Sequence, residues 1–440
     1  MDLFTLIMLG SNVISRLFWG TVPTGLDIFQ QMTTNEIKQY VAATTDVFGI
    51  RKPECFQMLL DSSLNEPRYV ATGFQDGGYS IFDLEEGLFT EYSLTADNPY
   101  IYTNVDTGSF VYLGPTEYLH SANNEEYSNP LTNENFDREW IDDRYQSEQE
   151  NAEIIEDGVV PPSEYTDDED LPSMNATLIA PANDVFDPVV VDGYYTYVAN
   201  YLYFERLDDY GYNAKGSCAY VALQMYLNYL DTFYNDNIIP NSYNTFKNFT
   251  AYMPFSIASY SYSPGSNEAF HQRLIDVGVS LGYADRSTDS YSLTGKQVPK
   301  VFEAYLKTVG FPSIYFDYQY IEGNLWDTLT GNAYKRASQR LNWGSPQLIG
   351  FALTASIDHA VIAYGQSENY FVTNYGWGGN YNDVVVLKEK VKTTFGVDAW
   401  KSVYVPSQGY MYRSMPLNPI VALNAQTPLA VSNTFLNLAS

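Results

Sequence analysis

The sequence predicts an α+β protein in two successive units, and three observations carry that reading. Short aromatic and β-branched runs broken by Gly turns fill residues 69–113. Helix-period segments follow at 218–231, 267–281 and 296–309. A second series of strand-like runs then occupies 347–387, so helices precede a sheet rather than alternate with it.

At 440 residues the chain exceeds one ordinary hydrophobic core, which favours at least two domains. The first unit is expected over residues 1–136. Thr33-Thr-Asn-Glu36 is a helix-start signal, and Ile37, Tyr40 and Val41 continue a short helix to about residue 47. Tyr69-Val-Ala-Thr-Gly73, Tyr79-Ser-Ile-Phe82 and Leu88-Phe-Thr-Glu-Tyr-Ser93, joined through Gly77-Gly78 and Gly87, read as two hairpins. Phe110–Leu113 adds another strand. Cys55, in an apolar run, is expected to be a buried small hydrophobe.

Residues 137–180 are expected to form an exposed acidic linker, since a segment ending in Asp167-Asp-Glu-Asp170 has too little apolar surface to offset its ordering entropy. Its carboxylate spacing fits no EF-hand loop, and no metal or other cofactor is expected. The second unit is expected over 181–406, with strands at Gln347–Leu353, His359–Tyr364, Tyr370–Asn374 and Val384–Leu387, and residues 407–440 form a tail without usable periodicity. The net charge of −30 repels phosphate backbones and argues against nucleic acid as a partner. No run approaches the roughly 20 apolar residues of a membrane span. The apolar N-terminus, Met1–Leu9, lacks a basic flank and gives no clear signal peptide.

Chemistry concentrates at three places. Ser217 is placed to cap an amphipathic helix that opens with Cys218, where unpaired amides and the positive dipole end stabilise a thiolate. His359 begins a strand, and Asn374 ends the next one. If Tyr364 faces Asn369 across that hairpin, His359 faces Asn374, with Cβ atoms about 4.5–5.5 Å apart. An amide there would hold one imidazole nitrogen and leave the other for a thiol, which would attack a carbonyl while the Cys218 N–H binds the oxyanion. His120 and His271 lack such company and are expected on the surface or in loops.

Gly216-Ser-Cys218 resembles the Gly-Ser-Cys of papain, and Asn374-Tyr-Gly-Trp377-Gly-Gly379 resembles the Asn-Trp-Gly-Trp-Gly-Gly stretch of streptopain-like enzymes. The chain thus resembles papain-fold bacterial cysteine peptidases, streptopain-like and C39-like, and the separation of Cys218 from His359 is consistent with the ~130–150 residues of the papain and cathepsin pattern. Tyr79-Ser-Ile-Phe-Asp83, Glu91-Tyr-Ser93, Asn98-Pro-Tyr100 and Tyr112-Leu-Gly-Pro115 resemble streptopain propeptides.

The resemblance implies a papain-like fold preceded by a smaller α+β propeptide or inhibitor-like domain. It also implies a secreted or cell-surface zymogen that cleaves protein or peptide substrates, with its own N-terminal domain as intramolecular inhibitor. Cys218, His359 and Asn374 would be catalytic, and Trp377 would either cover the His–Asn pair or serve in packing alone. Asn213 would be an oxyanion donor, although the papain Gln position falls on Tyr212. Ala219 and Tyr375 also depart from the pattern, each standing where relatives carry an aromatic or a Trp. A catalytically silent binding or adhesion protein, to which the 40 tyrosines would suit, and a thiol amidase or acyltransferase are the alternatives.

Overall fold

The computed structural model describes residues 34–47, 52–75, 77–100, 108–156, 194–198, 202–205, 216–233, 238–240, 242–243, 264–288, 291–310, 316–321, 331–342, 344–351, 359–377, 381–400 and 421–424. The fold mixes α and β structure around one large sheet. In its first half lie helix α1 (Thr34–Val47), strands β1 (Pro53–Leu60), β2 (Pro67–Phe74), β3 (Tyr79–Asp83), β4 (Leu88–Ser93), β5 (Ser109–Gly114), β6 (Glu117–Ser121), β7 (Glu126–Ser128) and β8 (Asn135–Asp137), and helix α2 (Arg138–Glu156).

The second half carries β9 (Tyr194–Tyr197), α3 (Leu202–Glu205), α4 (Cys218–Phe233), α5 (Pro264–Ser280) and α6 (Gln297–Thr308), then β10 (Phe316–Ile321) and α7 (Asn332–Asn342). Strands β11 (Gln347–Gly350), β12 (Val361–Gln366), β13 (Tyr370–Asn374), β14 (Val384–Leu387), β15 (Thr393–Trp400) and β16 (Val421–Asn424) complete it. A strand at 421–424, paired with β9, places ordered backbone in what reads from sequence as a featureless tail.

The two halves share the sheet. Its order is β10-β15-β11-β12-β13-β14-β4-β3-β2-β1-β5-β6-β7-β8, with β9 joining at β12. The join is the antiparallel β14–β4 pair, Val385 opposite Tyr92 and Val386 opposite Glu91. Among the described residues the strand pairings are antiparallel except the β1–β5 contact, Leu60 opposite Val111.

Strand alternation explains the layering. On β2 to β4, Tyr69, Ala71, Tyr79, Ile81 and Tyr92 face a core continuous with the second half. Their neighbours Val70, Phe74, Phe82 and Phe89 face the other side, where Ile37 and Val41 of α1 cover them. Each such side chain contributes about 1.5–3 kcal/mol by burial, which holds α1 to the sheet.

The acidic-linker expectation fails over its first half. Residues 138–156 form α2, and Ile141 is buried with Val111, Leu119 and Tyr127. Arg144 grips Glu117 through two 2.9 Å bonds and reaches Glu148 at 3.1 Å. The acids therefore line an exposed face of a packed helix. Residues 157–193 lie outside the described residues.

Helix α4 is also not amphipathic. Residues Ala219 to Asp231 are all buried, because β11, β12, α5 and α6 enclose it. Cys55 sits half-buried on β1, its Sγ lying over Gly73, where a Cβ would come within 2.6 Å.

Candidate active site

Cys218 is the first residue of α4, at the boundary the capping signal predicts. The chain enters through Gly216 at φ +71°, a left-handed conformation, and a Cβ there would fall 2.2 Å from Ser292 Oγ. The Ser217 carbonyl accepts the amides of Tyr220 and Val221 at 2.9 and 3.0 Å, so residue 217 is the N-cap. Its Oγ is buried and makes no hydrogen bond among the described residues, so the side chain does not cap. Cys218 is half-buried and is not in a disulfide. Its backbone thus lies at the N-terminal, positive-dipole end of α4.

His359 does not face Asn374. The β12–β13 register pairs Ile362 with Asn374 and Ala363 with Thr373, then steps to Gly365 with Val372 and Gln366 with Phe371. The turn lies later than the assumed one: Ser367 donates its N–H to the Tyr370 carbonyl and accepts the Tyr370 N–H on Oγ. His359 thus precedes the strand and meets the segment beyond Asn374. Its Nε2 hydrogen bonds to the Tyr375 carbonyl at 2.9 Å. Burial pushes the imidazole down to about 4, partly opposed by that carbonyl, so the ring is neutral near pH 7.

Asn374 is spoken for elsewhere. Its Nδ2 donates to the Phe204 carbonyl and its Oδ1 accepts the Gly376 N–H, both at 2.7 Å. The expectation that its side chain orients the ring directly is corrected to an indirect one, because both atoms of the amide grip backbone. Trp377 packs on His359 with ring centroids 4.6 Å apart, and its edge meets Tyr375 at 5.2 Å. Asn213 lies outside the described residues.

Gly376 ties the helix to this corner. Its φ is +70°, and a Cβ would land 2.6 Å from Val221 Cγ1 and 3.2 Å from Met225 Cε. Val221 is three residues beyond Cys218 and shares its helix face. The cysteine-bearing helix end and the peptide that holds His359 are therefore packed together.

One group escaped the sequence reading. Glu91 of β4 is fully buried, and four tyrosine hydroxyls donate to it. Tyr79 and Tyr118 bond Oε1 at 2.8 and 2.6 Å; Tyr112 and Tyr375 bond Oε2 at 3.2 and 3.3 Å. Burial pushes the carboxyl up to about 7 even though the hydroxyls favour its charged form. The available signal was a lone acid inside an aromatic strand, Leu88-Phe-Thr-Glu-Tyr-Ser93, in a tyrosine-rich chain.

The other two histidines are buried rather than superficial. His120 sits on β6 against the Phe110 ring at 4.9 Å. His271 of α5 bonds Gln224 Oε1 through Nδ1 at 3.1 Å, and burial pushes it down to about 4. Both differ from the expected surface placement because α5 and β6 turn these positions toward the core. Among the described residues no cluster of His, Cys, Asp and Glu could hold a metal, and no helix is long and apolar enough to cross a membrane. Comparison with family models, with curated proteins and with solved structures gave no match for this chain.

Proposed function

We propose that the protein is a cysteine-type peptidase of papain-like fold, with Cys218 as nucleophile and His359 as its base. The observation that carries this reading is the packing of the Cys218 helix end against the Tyr375–Gly376 peptide that holds His359. With Nε2–H given to the Tyr375 carbonyl, Nδ1 bears the lone pair, and a neutral ring is the form that can accept a proton.

The reaction on this reading runs through those two residues. The Cys218 thiol adds to a peptide carbonyl carbon as its proton passes to His359 Nδ1. Negative charge on the carbonyl oxygen meets the Cys218 N–H at the helix start, with Asn213 as the second donor that the resemblance implies. The tetrahedral adduct collapses, the C–N bond breaks, and the departing amine takes the proton from His359. Water, deprotonated by the same ring, then hydrolyses the thioester and restores the thiol. Trp377 shields the ring from bulk water.

The zymogen reading has a contact to rest on, the Tyr118 ring of β6 lying 6.2 Å from Trp377 at the edge of the site, but the ladder with Val386 opposite Glu91 ties the first half in place. One observation favours a thiol-silent binding scaffold instead: the Asn374 amide is committed to backbone and not to His359.

Treatment with a papain-directed epoxide, followed by intact-mass and peptide mapping, separates these readings. The peptidase reading expects stoichiometric labelling of Cys218 that vanishes in His359→Ala, together with cleavage of denatured casein. Labelling of Cys55 and Cys218 at equal, slow rates in both proteins would leave the scaffold reading standing.

A further inference from the structure

We infer that Glu91, contributed by the N-terminal half, is a positioning residue for His359 and acts through Tyr375. The inference rests on the thiol reading for its functional meaning, while the structural link it asserts can be tested without it.

Every polar group of Tyr375 is engaged. Its N–H donates to the Tyr381 carbonyl at 2.8 Å, its carbonyl accepts His359 Nε2–H at 2.9 Å, and its hydroxyl donates to Glu91 Oε2 at 3.3 Å. The ring between these anchors is buried, stacked on Tyr381 at 6.3 Å and edge-on to Trp377 at 5.2 Å. A side chain clamped along its length fixes the orientation of its own peptide, and here that peptide carries the acceptor for the histidine.

Glu91 is suited to be the fixed end. Four hydroxyl donors, two on each oxygen, nearly fill the acceptor capacity of a carboxylate. Three come from β3, β5 and β6 of the first half, and only Tyr375 comes from the second. Burial makes the loss of any donor costly, because no water replaces it. The β4–β14 ladder beside it, with Val386 opposite Glu91, ties the carboxylate to the sheet of the second half, whose β13 ends one residue before Tyr375. The N-terminal half therefore supplies a structural member of the site rather than only a neighbour to it.

The chain holds three histidines, so His359 can be followed by NMR of 15N-histidine-labelled full-length protein, with His120 and His271 as internal controls. Tyr375→Phe removes one hydroxyl and leaves three donors on Glu91. Glu91→Leu removes the anchor, and Glu91→Gln keeps its shape. In Tyr375→Phe the His359 nitrogen shifts should move from a single Nε2–H tautomer toward a mixture, while His120 and His271 stay in place. Alkylation of Cys218 by iodoacetamide should slow about tenfold, within the loss expected of a misplaced group. Glu91→Leu should reproduce both changes, the double variant should add nothing further, and Glu91→Gln should restore most of the wild-type behaviour.

Unchanged His359 shifts in folded Tyr375→Phe would overturn the inference, as would equal movement of all three histidines, which marks general loosening. If His359→Ala leaves the alkylation rate of Cys218 unaltered in the otherwise wild-type chain, the thiol reading fails; the nitrogen shifts still decide the Glu91–His359 link.

Discussion

Asn374 and His359 hold opposite edges of one peptide plane. Asn374 Oδ1 accepts the Gly376 N–H at 2.7 Å, and on the other edge the Tyr375 carbonyl accepts His359 Nε2–H at 2.9 Å. The asparagine thus acts on the ring at one remove. Its substitution should register first as lost stability. Asn374→Ala takes the amide partner from both the Phe204 carbonyl and the Gly376 N–H in a buried setting, at about 1–3 kcal/mol for each bond lost. Urea denaturation should show a loss of about 2–6 kcal/mol for the two together. Asn374→Asp keeps the acceptor for Gly376, loses the donor to Phe204 and adds a buried charge, so it should be the less stable of the two. A folded, fully stable Asn374→Ala protein would contradict this arrangement.

Glu91 should impose a pH dependence opposite to that of most carboxylates. Its folded-state value is raised to about 7 from an ordinary 4.5. Between those values the folded protein binds a proton that the unfolded chain has released, so its contribution is fully present below pH 4.5 and is lost as pH rises through 7. The difference is about 3 kcal/mol from a shift of this size. The groups that face it are the hydroxyls of Tyr79, Tyr112, Tyr118 and Tyr375, all pushed well above the ordinary tyrosine value by burial. They stay protonated throughout the window. Stability of Glu91→Gln measured against wild type at pH 4.5 and pH 7.5 should favour the variant at the higher pH. His359 and His271 run the other way, losing stability as pH falls from 6.5 toward 4, but they cancel in that comparison.

Much of the local structure was legible because it depends on local chemistry. The helix start at Cys218, the hairpins over 67–93 and the strands at 370–374 and 384–387 follow from a cap position, Gly turns and aromatic runs. The register of β12 on β13 was not legible, since it depends on where Ser367 closes its turn, and a shift of three to four residues moved His359 from Asn374 to Trp377. Helix α2 was missed because its acids outweigh the narrow stripe of Trp140, Ile141 and Arg144 that packs it. The Glu91 cluster draws tyrosines from four places in the chain, and no local pattern announces such convergence.

Trp377 should control the ionisation of His359. The imidazole is lowered chiefly by burial, and the indole 4.6 Å away is part of what buries it. Trp377→Ala opens that side to water, so the histidine should rise from about 4 toward its ordinary 6.5. Titration of the 15N-histidine signals would read the change directly. The consequence for chemistry is a base that is partly protonated near pH 6, and alkylation of Cys218 should fall there more than at pH 8. A His359 value unmoved by Trp377→Ala would mean that other groups set the burial.

Cutting the chain between Glu156 and Tyr194 tests what the first half does for the second. A masking segment should leave once released. The structure joins the halves by a main-chain ladder between β4 and β14 and by side chains across it: Ser93 and Thr95 each donate to Asp383 Oδ1 at 2.7 Å, and Tyr370 donates to the Phe89 carbonyl at 3.1 Å. Tyr381 reaches the Asp97 carbonyl at 2.8 Å, and Tyr375 reaches Glu91. Separation would expose the edge of β14, whose four residues are all buried, and break the bonds that Asp383, Tyr370, Tyr375 and Tyr381 make across the join. A protease site introduced between residues 156 and 194 and then cut should therefore give two fragments that co-elute on size exclusion, with Cys218 alkylation unchanged. If the fragments part without denaturant and the thiol then reacts faster, the first half is a pro-segment, and Glu91 serves docking rather than the histidine.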